Sequence, residues 1–481
     1  MPDFDGRSKS HHVATILQWL LAGLIATALL LNGLADLSVR PPLTILLTVV
    51  AGLGLLLPIK NGPVRPMICR ALFLCIGLAL WVGLQSLRLP LWLPVHPVWH
   101  DLATTLGTDY GYLSVNPSTT WRSLPNLILP ILVFVTSVII TQDKELARRF
   151  WLTLTYVGLL VVVVCVMRQV LFPDSLVFSG QALRHGQFSG VFINRNVAAA
   201  AFGLTGFAVL GSLAIHLEQD QSLRKGRDKR NPSKYYWKYV FLGGALFLTA
   251  VCLILTRSRA GSLFSLVLIL PCLFSIVRNG VRNQLAPVEP WRRRAVSIVV
   301  GLITLAIFLA AYGEPVLSRV ETTKDDLRWC TWAATIEAIK DHLVFGTGLG
   351  TFYDIFPMYR KATCDGSNLI WLRAHNSFLE LYLVLGLPSL FFAGAVIVSL
   401  GQTVSTGMRH HQALKGVPIA MAGAIIFVGT HSLVDFPLQI PGIALYFAAL
   451  MGAGTRLCMP SKKIPRGRDK SLFGQRKTDR V

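Results

Sequence analysis

Residues 342–386 read HLVFGTGLGTFYDIFPMYRKATCDGSNLIWLRAHNSFLELYLVLG, and this stretch determines how the chain is organised. It is the largest polar insertion in an otherwise apolar sequence. It contains a glycine-rich turn, Gly346 to Gly350, and then His375-Asn376 at the start of a hydrophobic segment. We therefore expect a membrane-embedded chain whose polar loop brings a histidine to the membrane face. An enzyme that acts on a lipid-linked substrate would need such a loop.

Apolar residues make up 53% of the 481-residue chain, which excludes a soluble domain. Crossing the hydrocarbon core of a bilayer takes about 20 apolar residues. Twelve nearly charge-free runs reach roughly that length: 13–35, 43–59, 67–87, 121–140, 150–172, 192–217, 239–256, 260–277, 295–312, 376–400, 417–433 and 440–457. The first run is too long for a cleavable signal and lacks a small-residue cleavage site. These runs predict an all-α integral membrane protein with about twelve transmembrane helices.

The net charge of +22 would suit a nucleic-acid-binding protein, but its distribution argues against that function. Lysine and arginine concentrate in alternate loops, which is typical of loops retained in the cytoplasm. The richest are 218–238 and the tail after Arg456. Both termini are then predicted to be cytoplasmic. An additional role of these basic loops in binding anionic lipid headgroups stays open.

The chain divides into four predicted parts: a bundle of about nine spans over 1–312, a periplasmic loop over 313–374, transmembrane helices over 375–457 and a basic cytoplasmic tail over 458–481. Within the loop, 325–343 has the spacing of an amphipathic helix. Its apolar face would carry Trp329, Trp332, Ile336, Ile339 and Leu343. The loop also holds Cys330 and Cys364, which would form a disulfide in an oxidising compartment.

Several arginines lie on the outer side, against the topological bias. Arg195 begins the sixth span, Arg257 and Arg259 form the turn after the seventh, and Arg168 ends the fifth. One such arginine is often explained by snorkelling to the headgroups. Several at one membrane depth indicate a substrate path, because guanidinium pairs bidentately with phosphate oxygens. We therefore predict a diphosphate site at Arg195, Arg259 and Arg257.

His375 is the candidate for proton transfer, since its pKa can lie near neutrality. The alternative is that it only caps the helix that follows. Asn376 and Glu380 would support it or help bind an acceptor. His431 and Asp435 are four residues apart at the outer end of the eleventh span, so we expect them on one helix face. They would have a supporting or acceptor-binding role, or form a packing pair.

Cofactor motifs are weak in this sequence. The turn from Gly346 to Gly350 follows a helix, and no βαβ unit surrounds it, so it is not a dinucleotide site. His96, His100 and Asp101 are interrupted by Pro97 and lack a fourth ligand. We predict no metal and no cofactor.

Five segments, taken in order, resemble the O-antigen ligase and Wzy-type polysaccharide polymerase superfamily. They are Phe192-Ile-Asn-Arg-Asn, Ser258-Arg-Ala-Gly, the glycine segment from Leu343 to Phe352, Ala374-His-Asn-Ser-Phe-Leu-Glu and His431-Ser-Leu-Val-Asp-Phe. The resemblance implies a GT-C-like architecture and a metal-independent, inverting glycosyltransferase. Its members serve lipopolysaccharide or exopolysaccharide biosynthesis, and both ligase and polymerase activity stay open.

The resemblance also implies partners and roles. A glycan would pass from undecaprenyl diphosphate to a sugar hydroxyl of an acceptor glycan or lipid A core, on the periplasmic side. Arg195 and Arg259 would bind the diphosphate, and His375 would be the general base. Arg257 departs from the smaller residues usual in the family. The alternative function is a polytopic transporter of a lipid or anionic solute, although transporters usually show two similar halves, and this chain has one lopsided insertion.

Overall fold

A computed structural model describes residues 4–36, 38–60, 62–172, 188–225, 233–281, 327–360, 371–410 and 415–460. Over these ranges the chain is mostly helical, which confirms the predicted fold class. The helices are α1 (Phe4–Leu30), α2 (Arg40–Leu55), α3 (Arg65–Gln85), α4 (Val98–Leu106), α5 (Pro117–Ile140), α6 (Lys144–Leu171), α7 (Arg195–Lys225), α8 (Ser233–Leu255), α9 (Arg259–Val281), α10 (Leu327–Asp341), α11 (Phe352–Tyr359), α12 (Ser377–Leu385), α13 (Pro388–His410), α14 (Gly416–Ser432) and α15 (Pro441–Cys458). Two short strands, β1 (Leu89–Pro90) and β2 (Tyr110–Gly111), pair antiparallel.

Eight of the described helices are long and apolar enough to cross a membrane: α1, α3, α5, α6, α7, α8, α9 and α13. The helices α2 and α14 are apolar but shorter. The chain is therefore a multi-pass membrane protein. The predicted run 295–312 lies outside the described residues, so the count of twelve spans stays a prediction, as does the GT-C-like architecture.

The tenth predicted span, 376–400, was wrong in its extent. The chain forms two helices there, α12 and α13, and it turns at Gly386, whose φ is +68°. Gly386 ends α12 because it can adopt a left-handed φ, and Pro388 begins the next helix because it needs no N–H there. Only α13 is long enough to be a membrane span, so α12 belongs with the loop that precedes it.

The bundle is built around α7, which is buried along almost all of its apolar length. Glycines on α7 let its neighbours come close. Gly203 lies against Ser265 and Phe427, Gly206 against Ile269, and Gly211 against Trp151. Association of helices in lipid depends on such close packing rather than on the hydrophobic effect. The start of α7 therefore has a fixed position at the end of the bundle.

A layer of loops and short helices covers one end of the bundle. This loop layer comprises 86–116, 327–360 and 371–387, and its parts are bonded to one another. Val115 N donates to the Thr347 carbonyl (2.9 Å), and the rings of His96 and His342 stack with centroids 4.7 Å apart. We call the end that it covers the site end.

The amphipathic helix is present as α10, but three of the five residues predicted for its apolar face are exposed, while Trp332 and Ile339 are half-buried. Trp329 is 68% exposed, and Ile336 and Leu343 are exposed as well. The buried face consists of small residues: Thr331, Ala334, Thr335 and Ala338. Small side chains dominate the face that packs on the protein because they permit a close approach, and Ile339 packs beside them.

Candidate functional site

Asp435 is the residue on which the candidate site converges. It lies just after α14 and is 3% exposed. Its Oδ1 is 3.5 Å from Nδ1 of His375, and it also accepts a hydrogen bond from Phe436 N (2.9 Å). Its Oδ2 accepts a hydrogen bond from the side-chain amide of Asn196 on α7. One buried carboxylate thus joins α7, the loop before α12 and the turn after α14.

Asp435 stays ionised despite its burial. Burial alone would raise its pKa, but the contact with His375 and the nearby His431 and Arg328 outweigh that effect, and the net shift of the pKa is downward. A buried carboxylate is stable as an anion only when charged or hydrogen-bonded partners replace water. Asp435 is therefore an anion placed to stabilise positive charge on His375.

His375 has an unusual backbone conformation that aims its ring into the site. Its φ is +52°, in the left-handed region that few residues other than glycine adopt. The ring lies edge-on to Trp371 and Phe436, with centroids 5.4 and 4.8 Å away. Nδ1 of the ring faces Asp435. Because the side chain is 23% exposed, the ring also stays accessible from one side.

Asn376 and Glu380 hold the backbone around His375. Asn376 is the N-cap of α12 and accepts hydrogen bonds from Phe378 N and Leu379 N. Glu380 is buried and accepts from Ala374 N (2.8 Å) while it pairs with Arg373 (2.9 Å). Asn376 therefore caps α12, and the side chain of His375 is not needed for capping.

His431 is buried near the end of α14, and Asp435 lies in the turn beyond that helix. The two residues do not share a regular helix face, since α14 ends at Ser432, but Asp435 N donates to the His431 carbonyl (2.9 Å). Neither ring nitrogen of His431 hydrogen-bonds to a described residue. The ring faces Phe427 and approaches Gly261 at the start of α9.

The predicted phosphate arginines lie on elements that meet at this end of the bundle. Arg195 is the first residue of α7, next to Asn196, which binds Asp435. Arg257 has a φ of +51° in the turn before α9, and Arg259 is the first residue of α9. Both of these side chains are exposed, and neither hydrogen-bonds or pairs with a described residue. Their guanidinium groups are available to a ligand.

Arg328 was missed by sequence reasoning. It lies on α10, donates to the Val434 carbonyl (3.2 Å) and acts electrostatically on both Asp435 and His431. The signal was weak, since a single arginine in an amphipathic helix is usually solvated. The structure places it over the site because the loop layer folds back on the turn after α14.

The glycine-rich turn from Gly346 to Gly350 has a structural role, because it packs closely against neighbouring segments. Gly346, Gly348 and Gly350 all have positive φ, and an added Cβ at each would collide with residues of α5, α12 or the segments beside them. Thr347 N and Gly348 N donate to the carbonyls of Leu383 and Val384. These amides are occupied, so the turn has few donors left to bind a phosphate.

Two sequence expectations concern cysteines and metals. Cys330 is disulfide-bonded, but Cys364 lies outside the described residues, so that pairing stays a prediction. In the part of the chain that the structure describes, no group of three His, Cys, Asp or Glu side chains is placed to hold a metal ion.

The stacked histidines of the loop layer predict a pH dependence of stability. Burial, with a smaller effect of His342, lowers the pKa of His96 to about 4. Burial also lowers the pKa of His342, against the raising effect of Asp341. The unfolded chain, with a His pKa near 6.5, binds the proton first as pH falls. The free energy of unfolding should have its full value above about pH 6.5 and should decrease towards pH 4. His96 should account for at most about 3 kcal/mol of that decrease.

Thermal unfolding of the purified protein from pH 7.5 to 5 would measure this effect. His96→Asn keeps an acceptor for Val98 N, which donates to Nδ1 at 3.3 Å, and should flatten the dependence. His100→Asn, at an exposed position on α4, should not change it. Equal slopes in both variants would contradict this explanation.

One family comparison bears on these residues. Residues 244–394 match the family model described as O-antigen ligase. The chain is similar to this family over less than half of its length. The resemblance stated from the motifs is confirmed over this range. No curated protein shows a significant match to the chain.

The matched range contains Arg257, Arg259, Arg328 and His375, whereas Arg195 and the turn with His431 and Asp435 lie outside it. The structure connects the residues inside the matched range with those outside it, because Asp435 contacts both His375 and Asn196. The match supports a membrane O-antigen ligase or polymerase type of function, which would involve a polyprenyl-linked glycan and an acceptor.

Proposed function

We propose that the chain is a metal-independent, inverting glycosyltransferase that moves a glycan from undecaprenyl diphosphate to a sugar hydroxyl of an acceptor. The observation that carries the proposal is the pairing of His375 with the buried anion Asp435, 3.5 Å apart, within a family of glycan-transferring membrane proteins. A histidine with one nitrogen against a carboxylate is suited to accept a proton on the other.

The reaction is a single displacement. The acceptor oxygen forms a bond to the anomeric carbon, and the bond from that carbon to the diphosphate oxygen breaks. Nε2 of His375 takes the hydroxyl proton, and Asp435 stabilises the imidazolium through Nδ1. Undecaprenyl diphosphate leaves with the bonding electrons, so the anomeric configuration inverts.

The leaving group needs positive charge at the site end. Arg259 and Arg257 have accessible guanidinium groups, and Arg195 begins the helix next to Asn196. Removing one preorganised group of this kind typically lowers the rate by about 10²–10³-fold. Arg328 adds a further cation between the loop layer and Asp435.

We further propose that the protein lies in the bacterial inner membrane with both termini in the cytoplasm and the site end in the periplasm. The motive is the lysine and arginine bias of the loops at the opposite end of the bundle. A transporter is the rival function. It is disfavoured by the family match and by a site that lies under one loop layer at the end of the bundle.

The function can be tested with the full chain in proteoliposomes. A lipid-linked glycan donor and an acceptor are supplied without nucleotide sugar and with a metal chelator. Transfer should release undecaprenyl diphosphate and extend or attach the glycan in equal amounts. Passage of donor across the membrane without new glycosidic bonds would instead identify a transporter.

The arginine assignment predicts graded losses. Arg259→Ala should lower transfer by about 10²-fold or more, and Arg259→Lys should restore only part of it, because lysine keeps the charge but loses the bidentate fork. Arg257→Ala makes the same change two residues away in the same turn and serves as the comparison. Initial rates per inserted protein would measure both. Wild-type rates in Arg259→Ala would move the assignment to Arg257.

A further inference from the structure

The outward side of α10 carries an apolar stripe that the proposed reaction does not use. Trp329, Ile336 and Leu343 follow one another at intervals of seven residues, so they lie on one side of the helix and of the turn after it. Their exposed fractions are 68%, 42% and 49%. Ala334 and Ala338, on the opposite side, are buried against α11. We call these three exposed residues the outer stripe.

Hydrogen bonds near both ends of α10 fix its position relative to the bundle. Near its beginning, Arg328 donates to the carbonyl of Val434, in the turn just after the apolar helix α14. Just after its end, the carbonyls of Leu343 and Val344 accept from Leu387 N at 3.0 and 3.1 Å, one residue before the membrane span α13 begins. Both attachments are at the ends of bundle helices. α10 therefore lies along the boundary between the bundle and the loop layer.

The outer stripe continues onto the lipid-facing surface of α13. Val344 and Leu387 are about half exposed, like Leu343, and Leu390 and Phe391 in the first turn of α13 are exposed as well. Most of α13 is not buried inside the protein, so these side chains face the hydrocarbon of the bilayer. One exposed apolar surface thus extends from a membrane span to the end of α10. Such a surface marks a contact with lipid or protein, and its continuity with α13 favours lipid.

The other exposed residues of α10 agree with a position at the membrane surface. Lys340 lies between Ile336 and Leu343 and pairs with Glu337 at 2.9 Å. A lysine can lay its hydrocarbon stem along an apolar surface while its ammonium group reaches the headgroups. Tryptophan, here Trp329, is enriched at the same level of a bilayer. At 15 residues α10 is too short to cross a membrane, but an amphipathic helix can lie in the interface.

We propose that the outer stripe of α10 docks on phospholipid, with Trp329, Ile336 and Leu343 in the headgroup and upper acyl region of the leaflet at the site end. The inference goes beyond the proposed function and does not depend on it. Its consequence for the site comes through Arg328, which lies on the same helix and bonds to the residue next to Asp435. Membrane contact would thereby help to hold this cation beside the buried carboxylate.

Fluorescence quenching in nanodiscs tests the contact. An environment-sensitive fluorescent amino acid replaces Trp329, Ile336 or Leu343, one at a time, in the full-length protein. The nanodiscs contain phosphatidylcholine with brominated acyl chains. Leu390 on α13 is the lipid-facing reference, and Thr104, exposed on α4 of the loop layer, is the aqueous reference. Each stripe position should show at least half of the quenching seen at Leu390, and Thr104 should show little.

Two outcomes would reject the proposal. Quenching at positions 343 and 390 without quenching at 329 and 336 would mean that only the end of α10 reaches lipid. The second outcome comes from a benzophenone amino acid at position 336, which should crosslink mainly to radiolabelled phosphatidylcholine. Crosslinks that instead join two chains, or two segments of one chain, would assign the outer stripe to a protein contact.

A pair of variants measures what the stripe contributes. With the fluorophore at position 329, Ile336→Asp should lower the quenching at least twofold, because a carboxylate at this depth has to stay hydrated. Ile336→Met keeps an apolar side chain of similar volume and should leave the quenching unchanged. Thermal unfolding in detergent checks that both variants fold, and Ile336→Ser replaces Ile336→Asp if the latter does not. Equal quenching in the polar and apolar variants would contradict the proposal.

Discussion

Replacing His375 with alanine should lower glycan transfer by about 10²–10⁴-fold, the usual contribution of a general base. The protein should still insert and accumulate normally. Its donor should still bind, because the arginines that hold the diphosphate are unchanged, and lipid-linked donor should build up in cells. Transfer per unit of inserted protein, together with donor level, measures the effect.

The structure supplies a matched control for this variant. Asn376 is the residue that caps α12, so Asn376→Ala should cost about 1 kcal/mol of helix stability and leave much of the specific activity. His375→Asn is a second control, since asparagine tolerates a positive φ and cannot act as the base. Near-normal specific activity in both His375 variants would place the base elsewhere, with His431 the next residue to test.

Replacing Asp435 with asparagine should lower kcat by about 10²–10⁴-fold while changing KM little. The expected size follows from other histidine bases oriented by a carboxylate, where an amide gives a similar shape but no negative charge. Asp435 contacts Nδ1 of His375 and would stabilise the imidazolium formed during transfer. The variant should fold, because the amide oxygen still accepts from Asn196 or Phe436.

Asp354→Asn is the control for the Asp435 variant. Asp354 lies in the loop layer, where it accepts from the side-chain amide of Asn116 at 3.2 Å and contacts no site residue reported above. The same chemical change there should leave kcat near the wild-type value. If Asp435→Asn instead raised KM for donor or acceptor with kcat preserved, Asp435 would be a binding residue and not the partner of the base.

The membrane spans were predictable from sequence because a length of apolar residues is enough to define them. The break at Gly386 was not predicted: glycine and a following proline often mark a helix boundary, but the uniform hydropathy of 376–400 concealed it. The inward face of α10 was not predictable from hydrophobicity. Both lipid and protein are apolar surroundings, so the small residues decide which face packs.

The candidate site was predictable in its members but not in its connections. His375 and the phosphate arginines stood out by residue type and position. The contact between His375 and Asp435 joins segments separated by α12, α13 and α14, and no local pattern encodes it. Arg328 was missed for the same reason, because its place in the site depends on its contact with the turn after α14.

The hydrogen bonds at the glycine-rich turn determine the earliest stage of synthesis at which the candidate site can assemble. The side-chain amide of Gln85 bonds to the carbonyls of Phe345 and Val384, which are 260 and 299 residues further along the chain. Chains are synthesised and inserted from the N-terminus, so the first spans must wait in the bilayer for these partners. A nascent or truncated protein that stops before them carries its arginines but no assembled base. The proposed transfer would therefore begin only after these later segments are made, which would protect lipid-linked sugars from incomplete copies.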